Sequence, residues 1–265
     1  MNQQSSNPYA PPVAHVDDAH SGGGAPGVLI PGGRSVPAGN ATSWLGGGWE
    51  MFKQSPGAWI GIFLIFMVIY FVLSMIPLIN FFVMLIFPLL AGGVMIACEG
   101  QRQTGSLQVG DLFAGFQKNA GQLVLLGLIT LGFSMVMMLI AAVFIGFGVI
   151  GALMTGQDAT AAMMSLGIGG IAMFAVVVFL GSILLYAACW FAPALIVHNG
   201  LSAIEAMKTS FSGCMRNIGG GFIYFILLFI LSIVASIPLL LGWLVLGPVL
   251  WASVFTGYRD IFLED

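Results

Sequence analysis

The sequence predicts an all-α integral membrane protein: six transmembrane helices as three hairpins, each preceded by a short cytoplasmic amphipathic helix. Three observations carry that prediction. Of 265 residues, 59% are hydrophobic and only 6% are charged, whereas about one-quarter of a soluble domain is charged. Seventeen charged side chains, seven basic and ten acidic, cannot cover a globular surface, so a soluble domain is excluded. Four long stretches then lack Lys, Arg, Asp and Glu altogether: 54–98, 119–157, 159–204 and 217–258. Finally, a unit of polar corner and apolar hairpin recurs three times along the chain.

Residues 1–41 read as a disordered cytoplasmic tail. Asn, Ser, Pro and Gly dominate, as in Asn7-Pro8-Tyr9-Ala10-Pro11-Pro12 and Ser21-Gly22-Gly23-Gly24. Too little apolar surface is available there to offset the entropy of ordering. A signal peptide's basic start and apolar run are absent from this stretch. The six-helix domain follows over 42–265.

A membrane helix needs ~20 apolar residues, so the first and last charge-free stretches each hold two spans. Ile76-Pro77-Leu78 and Ile237-Pro238-Leu239 divide them, since Pro interrupts a helix. The middle stretches supply one span each, on either side of Thr155-Gly156-Gln157-Asp158. Spans are expected near 58–76, 79–97, 122–146, 166–190, 219–237 and 240–257. With six crossings, Arg34, Lys53, Arg102, Lys118, Lys208, Arg216 and Arg259 all fall on one side. The other side keeps only Asp158. That asymmetry places both termini in the cytoplasm.

Aligning Gly57, Gly121 and Gly219 brings three copies into register, about 43–97, 107–197 and 201–262. Upstream of each glycine, apolar residues fall at i, i+4 and i+7: Leu45, Trp49 and Phe52; Val109, Phe113 and Phe116; Met207, Phe211 and Cys214. That spacing makes one apolar helix face. Lys53, Lys118 and Arg216 close these segments, where a basic side chain reaches lipid headgroups. Downstream, Pro88, Pro193 and Pro248 sit late in the second span of each copy. Glycine to proline is 31 residues in the first copy, 72 in the second and 29 in the third, so the middle copy carries a long insertion.

Catalytic chemistry is hard to find. No charge lies inside a predicted span, which argues against a pump or proton-coupled carrier. Gly146-Phe147-Gly148-Val149-Ile150-Gly151 matches a dinucleotide-binding pattern, but it sits in an apolar helix with no strand before it. His15 and His20 belong to the tail, and His198 reads as a helix-end residue before Asn199-Gly200. Cys98, Cys189 and Cys214 form no C-x-x-C pair. No cofactor or metal is expected, and a net charge of −3 gives no reason to expect nucleic acid as a partner.

The blocks Gly48-Trp49-Glu50-Met51-Phe52 to Trp59, Ala91-Gly92-Gly93 through Phe116-Gln117-Lys118, Pro193-Ala194-Leu195 and Gly257-Tyr258-Arg259-Asp260-Ile261-Phe262 resemble a family of bacterial six-helix inner-membrane proteins. More distantly, the helix-plus-hairpin unit is similar to the membrane domain of some glycerophosphodiester phosphodiesterases. The first resemblance implies a bacterial cytoplasmic membrane and a polytopic six-helix fold, and it transfers no catalytic residue. The expected function is a non-enzymatic scaffold or envelope-associated partner, docking a protein or an anionic lipid at the cytoplasmic face of the bilayer. The alternative is a facilitator or channel for a neutral or lipid-like solute.

Overall fold

The computed structural model of the chain describes residues 27–76, 80–156, 158 and 167–264. Among these, helices make up nearly all regular structure. In order they are α1 (Asn40–Gln54), α2 (Pro56–Ser74), α3 (Asn80–Thr104), a 3-10 helix (Val109–Phe116), α4 (Ala120–Thr155), α5 (Gly167–Cys189), α6 (Ala192–Asn199), α7 (Ala203–Arg216), α8 (Ile218–Ser236) and α9 (Trp243–Phe262). One antiparallel strand pair, β1 (Val28–Leu29) with β2 (Leu263–Glu264), joins the two ends of the described chain.

Local chemistry sets most boundaries. Pro56 begins α2 immediately after α1 ends at Ser55, a residue off the helical conformation. Gly200, at φ +67°, stops α6 in the left-handed region that suits glycine. A capping box starts α7: the Ser202 hydroxyl accepts from the Glu205 N–H, and the Glu205 carboxylate accepts from the Ser202 N–H. The Ser202 hydroxyl and N–H hold the Glu205 carboxyl below the usual range. The middle cytoplasmic segment is expected as an amphipathic α-helix and forms a 3-10 helix instead. Gly110 and Gly115 weaken an α-helix there, and the tighter coil seats Gly115 directly on the Leu89 and Gly93 backbone.

Five stretches are long and apolar enough to cross a membrane: Pro56–Ser74, Phe82–Thr104, Ala120–Phe144, Ala172–Asn199 and Ile218–Ser236. The fourth runs through α5 and α6 across a break at Trp190–Phe191. The span expected over 240–257 corresponds to α9, which is less apolar because it runs on through Arg259 and Asp260. Two further helices outrun their predicted bounds. α3 continues past 97 to Thr104 and so carries Glu99, Gln101 and Arg102. α4 has 36 residues, about 54 Å at 1.5 Å per residue, and absorbs much of the middle insertion. The Gly146–Gly151 pattern lies inside it. Ile237-Pro238-Leu239 forms the expected turn, with Leu239 and Leu240 both at positive φ. The matching turn at Pro77-Leu78 lies outside the described residues.

The expectation of a disordered tail through residue 41 is corrected at its C-terminal end; residues 1–26 lie outside the described residues. From Gly27 onward the chain is a strap across the ends of α7 and α9. The Ile30 N–H donates to the Phe262 carbonyl and the Arg34 N–H to the Ile261 carbonyl, each at 2.8 Å. Asn217 clamps the strap. Its amide donates to the Arg34 carbonyl at 2.8 Å and accepts from the Val36 N–H at 2.8 Å. Partners far away in sequence therefore order a segment whose own composition could not.

The core occupies the end of the bundle where the basic residues gather. Trp59, Leu112, Leu123, Leu195, Phe255 and Tyr258 are all buried there. α1 lies along α9, and α3 packs against the 3-10 helix, α4 and α6. Gln101 is fully buried and ties three helices together. Its amide donates to the Met51 carbonyl at 2.8 Å, and its carbonyl accepts from Trp59 Nε1 at 3.1 Å. Toward the other end, large side chains such as Phe71, Leu139, Phe179, Phe229 and Leu239 stand exposed, a surface that only hydrocarbon solvates without cost.

Candidate functional site

The three segments expected to present an apolar face share one geometry. In each, the face buried in the protein lies one residue before the apolar face expected at the lipid interface. In α1 the buried residues are Ala41, Trp44, Gly48 and Met51, joined by Phe52. In the 3-10 helix they are Leu112 and Gly115, and in α7 they are Ala203, Ala206, Ser210 and Gly213. Small residues turn inward because backbones meet closely: a Cβ at Gly48 or Gly115 would strike a carbonyl of the neighbouring helix. The predicted residues occupy the shoulder of that face. Phe52 is buried, while Leu45, Val109, Met207, Phe211 and Cys214 are half-buried. Trp49, Phe113 and Phe116 are exposed, with Trp49 stacked on Phe52.

The three basic residues differ in their engagement. Lys53 pairs with Glu50 at 2.8 Å on an exposed surface. Lys118 is exposed beside the start of α4. Arg216 is exposed and donates from one guanidinium nitrogen to the Gly33 carbonyl of the strap.

Two polar clusters at this end escape a reading by sequence spacing. Glu99, on α3, accepts from Arg102 at 2.6 and 3.2 Å and from Gln103 at 2.7 Å. Arg259, from α9, approaches the same carboxylate at 3.6 Å. Beside it, His198 Nε2 lies 3.1 Å from the Met95 carbonyl, and its ring stacks on Tyr258, whose hydroxyl donates to Asn199 at 2.6 Å. The second cluster centres on Asp260, which accepts from Trp44 Nε1 at 2.7 Å and Asn40 at 2.9 Å. Arg34 pairs with the same carboxylate at 3.7 Å. Both clusters pair each carboxylate with a guanidinium and so serve to lock helix ends together.

A groove of about 650 Å³ lies between α5 and α8, floored by α9. Its walls carry Phe179, Ile183, Tyr186, Trp190, Phe222 and Phe225. The aromatic rings interlock, with centroids of Tyr186 and Trp190 at 4.7 Å and of Trp190 and Phe225 at 5.6 Å. Trp44, Cys214 and Asn217 close it at the basic end. Several polar groups on its lining are already engaged. The Ser253 hydroxyl donates to the Leu250 carbonyl at 2.7 Å, so Tyr224 donates to Ser253 across 2.7 Å. The Cys214 thiol points at the Ala187 carbonyl. The groove is lined mainly by apolar side chains. Sequence reading placed Trp190 near a span end, but nothing in the spacing joined Tyr186 on α5 to Phe225 on α8.

Among the described residues, no three His, Cys, Asp or Glu side chains gather as metal ligands. Fold and site together define an all-α membrane protein with a packed, charged end and a lateral apolar groove. Comparison with known protein families, with curated proteins and with solved structures finds no match to this chain.

Proposed function

We propose that the chain is a non-enzymatic six-span protein of the bacterial inner membrane, with both termini cytoplasmic. It acts as a scaffold or envelope-associated partner through the layer formed by α1, the 3-10 helix and α7. The observation that carries this reading is the surface of that layer. A well-packed, hydrogen-bonded platform leaves Trp49, Phe113 and Phe116 between 41% and 44% exposed, and aromatic side chains on a rigid support are what interfaces use as anchors.

Several features support the topology. α9, with 20 residues, is about 30 Å long and matches the hydrocarbon thickness, so it serves as the sixth span. Gly57, Gly121 and Gly219 are each the second residue of their helix, as a threefold repeat of the hairpin unit requires. All seven basic residues lie outside the apolar cores of the spans, on the side opposite Asp158. The resemblance to bacterial six-helix inner-membrane proteins agrees with this compartment.

Replacing Trp49, Phe113 and Phe116 by Ala together tests the scaffold. We expect the variant to insert normally and to lose the partners that cross-link to the wild type in cells. Unchanged cross-links would overturn the reading. A reporter fused at Asp158 should lie outside the cytoplasm and one after Asp265 inside it. The groove favours a second reading, a facilitator for a lipid-like solute, because it opens sideways into the bilayer. Flux of fluorescent lipid between leaflets of vesicles holding the purified protein would decide for that role.

A further inference from the structure

We infer that the break at Trp190–Phe191 is a hinge, pinned by the Ser210 hydroxyl of α7, at which α5 swings relative to α8 and so sets the width of the groove. This inference depends on neither functional reading.

An unbroken helix would close a bond from the Phe191 N–H to the Ala187 carbonyl, four residues earlier. Here the Ser210 hydroxyl stands between them. It donates to the Ala187 carbonyl at 2.8 Å and accepts from the Phe191 N–H at 3.1 Å. A side chain inserted into the helical ladder is a known cause of a kink. Proline is the other candidate cause, and the chain contains its own control. Pro88 and Pro248 lie inside α3 and α9, which run through them unbroken. The 3-10 helix packs on α3 and α1 on α9, as α7 packs on α5. Ser210 stands nine residues before Gly219, where Gly121 and Gly57 have Leu112 and Gly48. Neither of those carries a hydroxyl, and neither neighbouring helix breaks.

The two sides of the break differ in freedom. After it, Ala192 to Val197 are all buried in the packed end. Before it, Phe179, Leu180 and Leu184 are more than half exposed. There α5 meets α4 through side chains that can slide, with Phe174 on Phe144 and Met137 over Gly181. Phe179, Ile183 and Tyr186 travel with this arm and form one wall of the groove. When the pin withdraws, the Phe191 N–H and the Ala187 carbonyl can bond each other, so neither arrangement orphans a backbone group. Two discrete arrangements of one element are what coupling between sites requires. The far end of α7 holds the strap, through Arg216 on Gly33, so Ser210 links the strap side of α7 to the groove.

Distances between pairs of spin labels in the full-length protein, reconstituted in nanodiscs, supply the test. Labels carried on p-acetyl-phenylalanine leave the native cysteines untouched. One pair replaces Val176 on α5 and Phe229 on α8, which are 53% and 67% exposed. Val176 lies fourteen residues before Trp190, about 21 Å at 1.5 Å per residue, so a ~20° change of kink moves it by about 7 Å. A second pair, at exposed Trp49 and Ile204, reports whether α1 and α7 keep their places in the packed end. We expect Ser210→Ala to shift the first distance by that amount and to leave the second unchanged. Pro193→Ala keeps the pin and should leave both distances as in the wild type. An unmoved first distance in Ser210→Ala would overturn the inference. So would a shift in Pro193→Ala, since the proline would then make the break. Loss of the second distance in Ser210→Ala would equally overturn it, because Ser210 would then hold α7 in the fold rather than pin α5.

Discussion

The two ends of this molecule are built on different principles. At the basic end, helices interlock as in a soluble domain, with buried Trp59, Gln101 and Tyr258 and carboxylates held by guanidinium groups. Along the spans the same helices are far less enclosed, meeting at points such as Phe144 on Phe174. Over their most apolar 18 residues, α3 is 56% buried, while α2 reaches 22%, α4 and α8 reach 17%, and Ala172–Asn199 reaches 0%. Only α3 is enclosed by its neighbours. In a bilayer, exposed hydrocarbon costs nothing, so no hydrophobic force draws the outer helices together. The fold is therefore held from one end, and the groove is where the outer helices diverge.

Trp59→Ala should show the largest effect of this asymmetry. Its ring is fully buried and its Nε1 donates to both Met51 and Gln101. Loss of the ring costs ~3–5 kcal/mol and leaves Gln101 short of a partner. Reversible unfolding in mixed micelles would measure it. A cost below 1 kcal/mol would mean that the basic end is not the stabilising core. Glu99→Gln comes next, at about 3 kcal/mol, because the Arg102 and Arg259 guanidinium groups then lose the carboxylate they share. Its signature is a loosened α3–α9 contact, seen as faster hydrogen exchange at the end of α9.

Asn217→Ala tests whether the strap belongs to the core or merely rests on it. Three hydrogen bonds are lost, two of them to the strap backbone. A cost of ~1–3 kcal/mol should appear chiefly as local opening. Protease cleavage near Gly32-Gly33 should accelerate while the helices remain protected. Equal protection of the strap in both proteins would contradict this.

The legible parts of the structure follow from the same contrast. Helix positions were readable because absence of charge is a one-dimensional signal: predicted bounds for the span over 219–237 fall within one residue of Ile218–Ser236. Glu99 could be read as outside a span but not as part of α3, since its cost is met by Arg259, 160 residues later. The amphipathic segments are helical, and the face each buries in the protein lies one residue before the apolar face that spacing picks out for the lipid interface. Spacing favours the bulkiest side chains, whereas close packing selected Gly48, Gly115 and Gly213 instead. Likewise the strap looked like the rest of the tail, because only Asn217, Phe262 and Ile261 distinguish it. The groove was not legible at all, being a gap between helices rather than a property of either one.

The smallest effect is also the sharpest test, because it compares one substitution at two points of a single apolar stretch. Leu195, in α6, is fully buried, whereas Leu180, four turns earlier in α5, is 53% exposed. Leu195→Ala removes packed methyl groups and should cost ~2–5 kcal/mol. Leu180→Ala exchanges contact with hydrocarbon for contact with slightly more hydrocarbon, so its cost should stay within ~0.5 kcal/mol. Hydropathy treats the two positions alike; only their distance from the basic end separates them. If both variants unfolded at the wild-type midpoint, the packed end would not be what holds the fold. If Leu180→Ala were as costly as Leu195→Ala, the outer half of α5 would have to be covered by protein in the membrane, and the groove beside it would be an interface between chains.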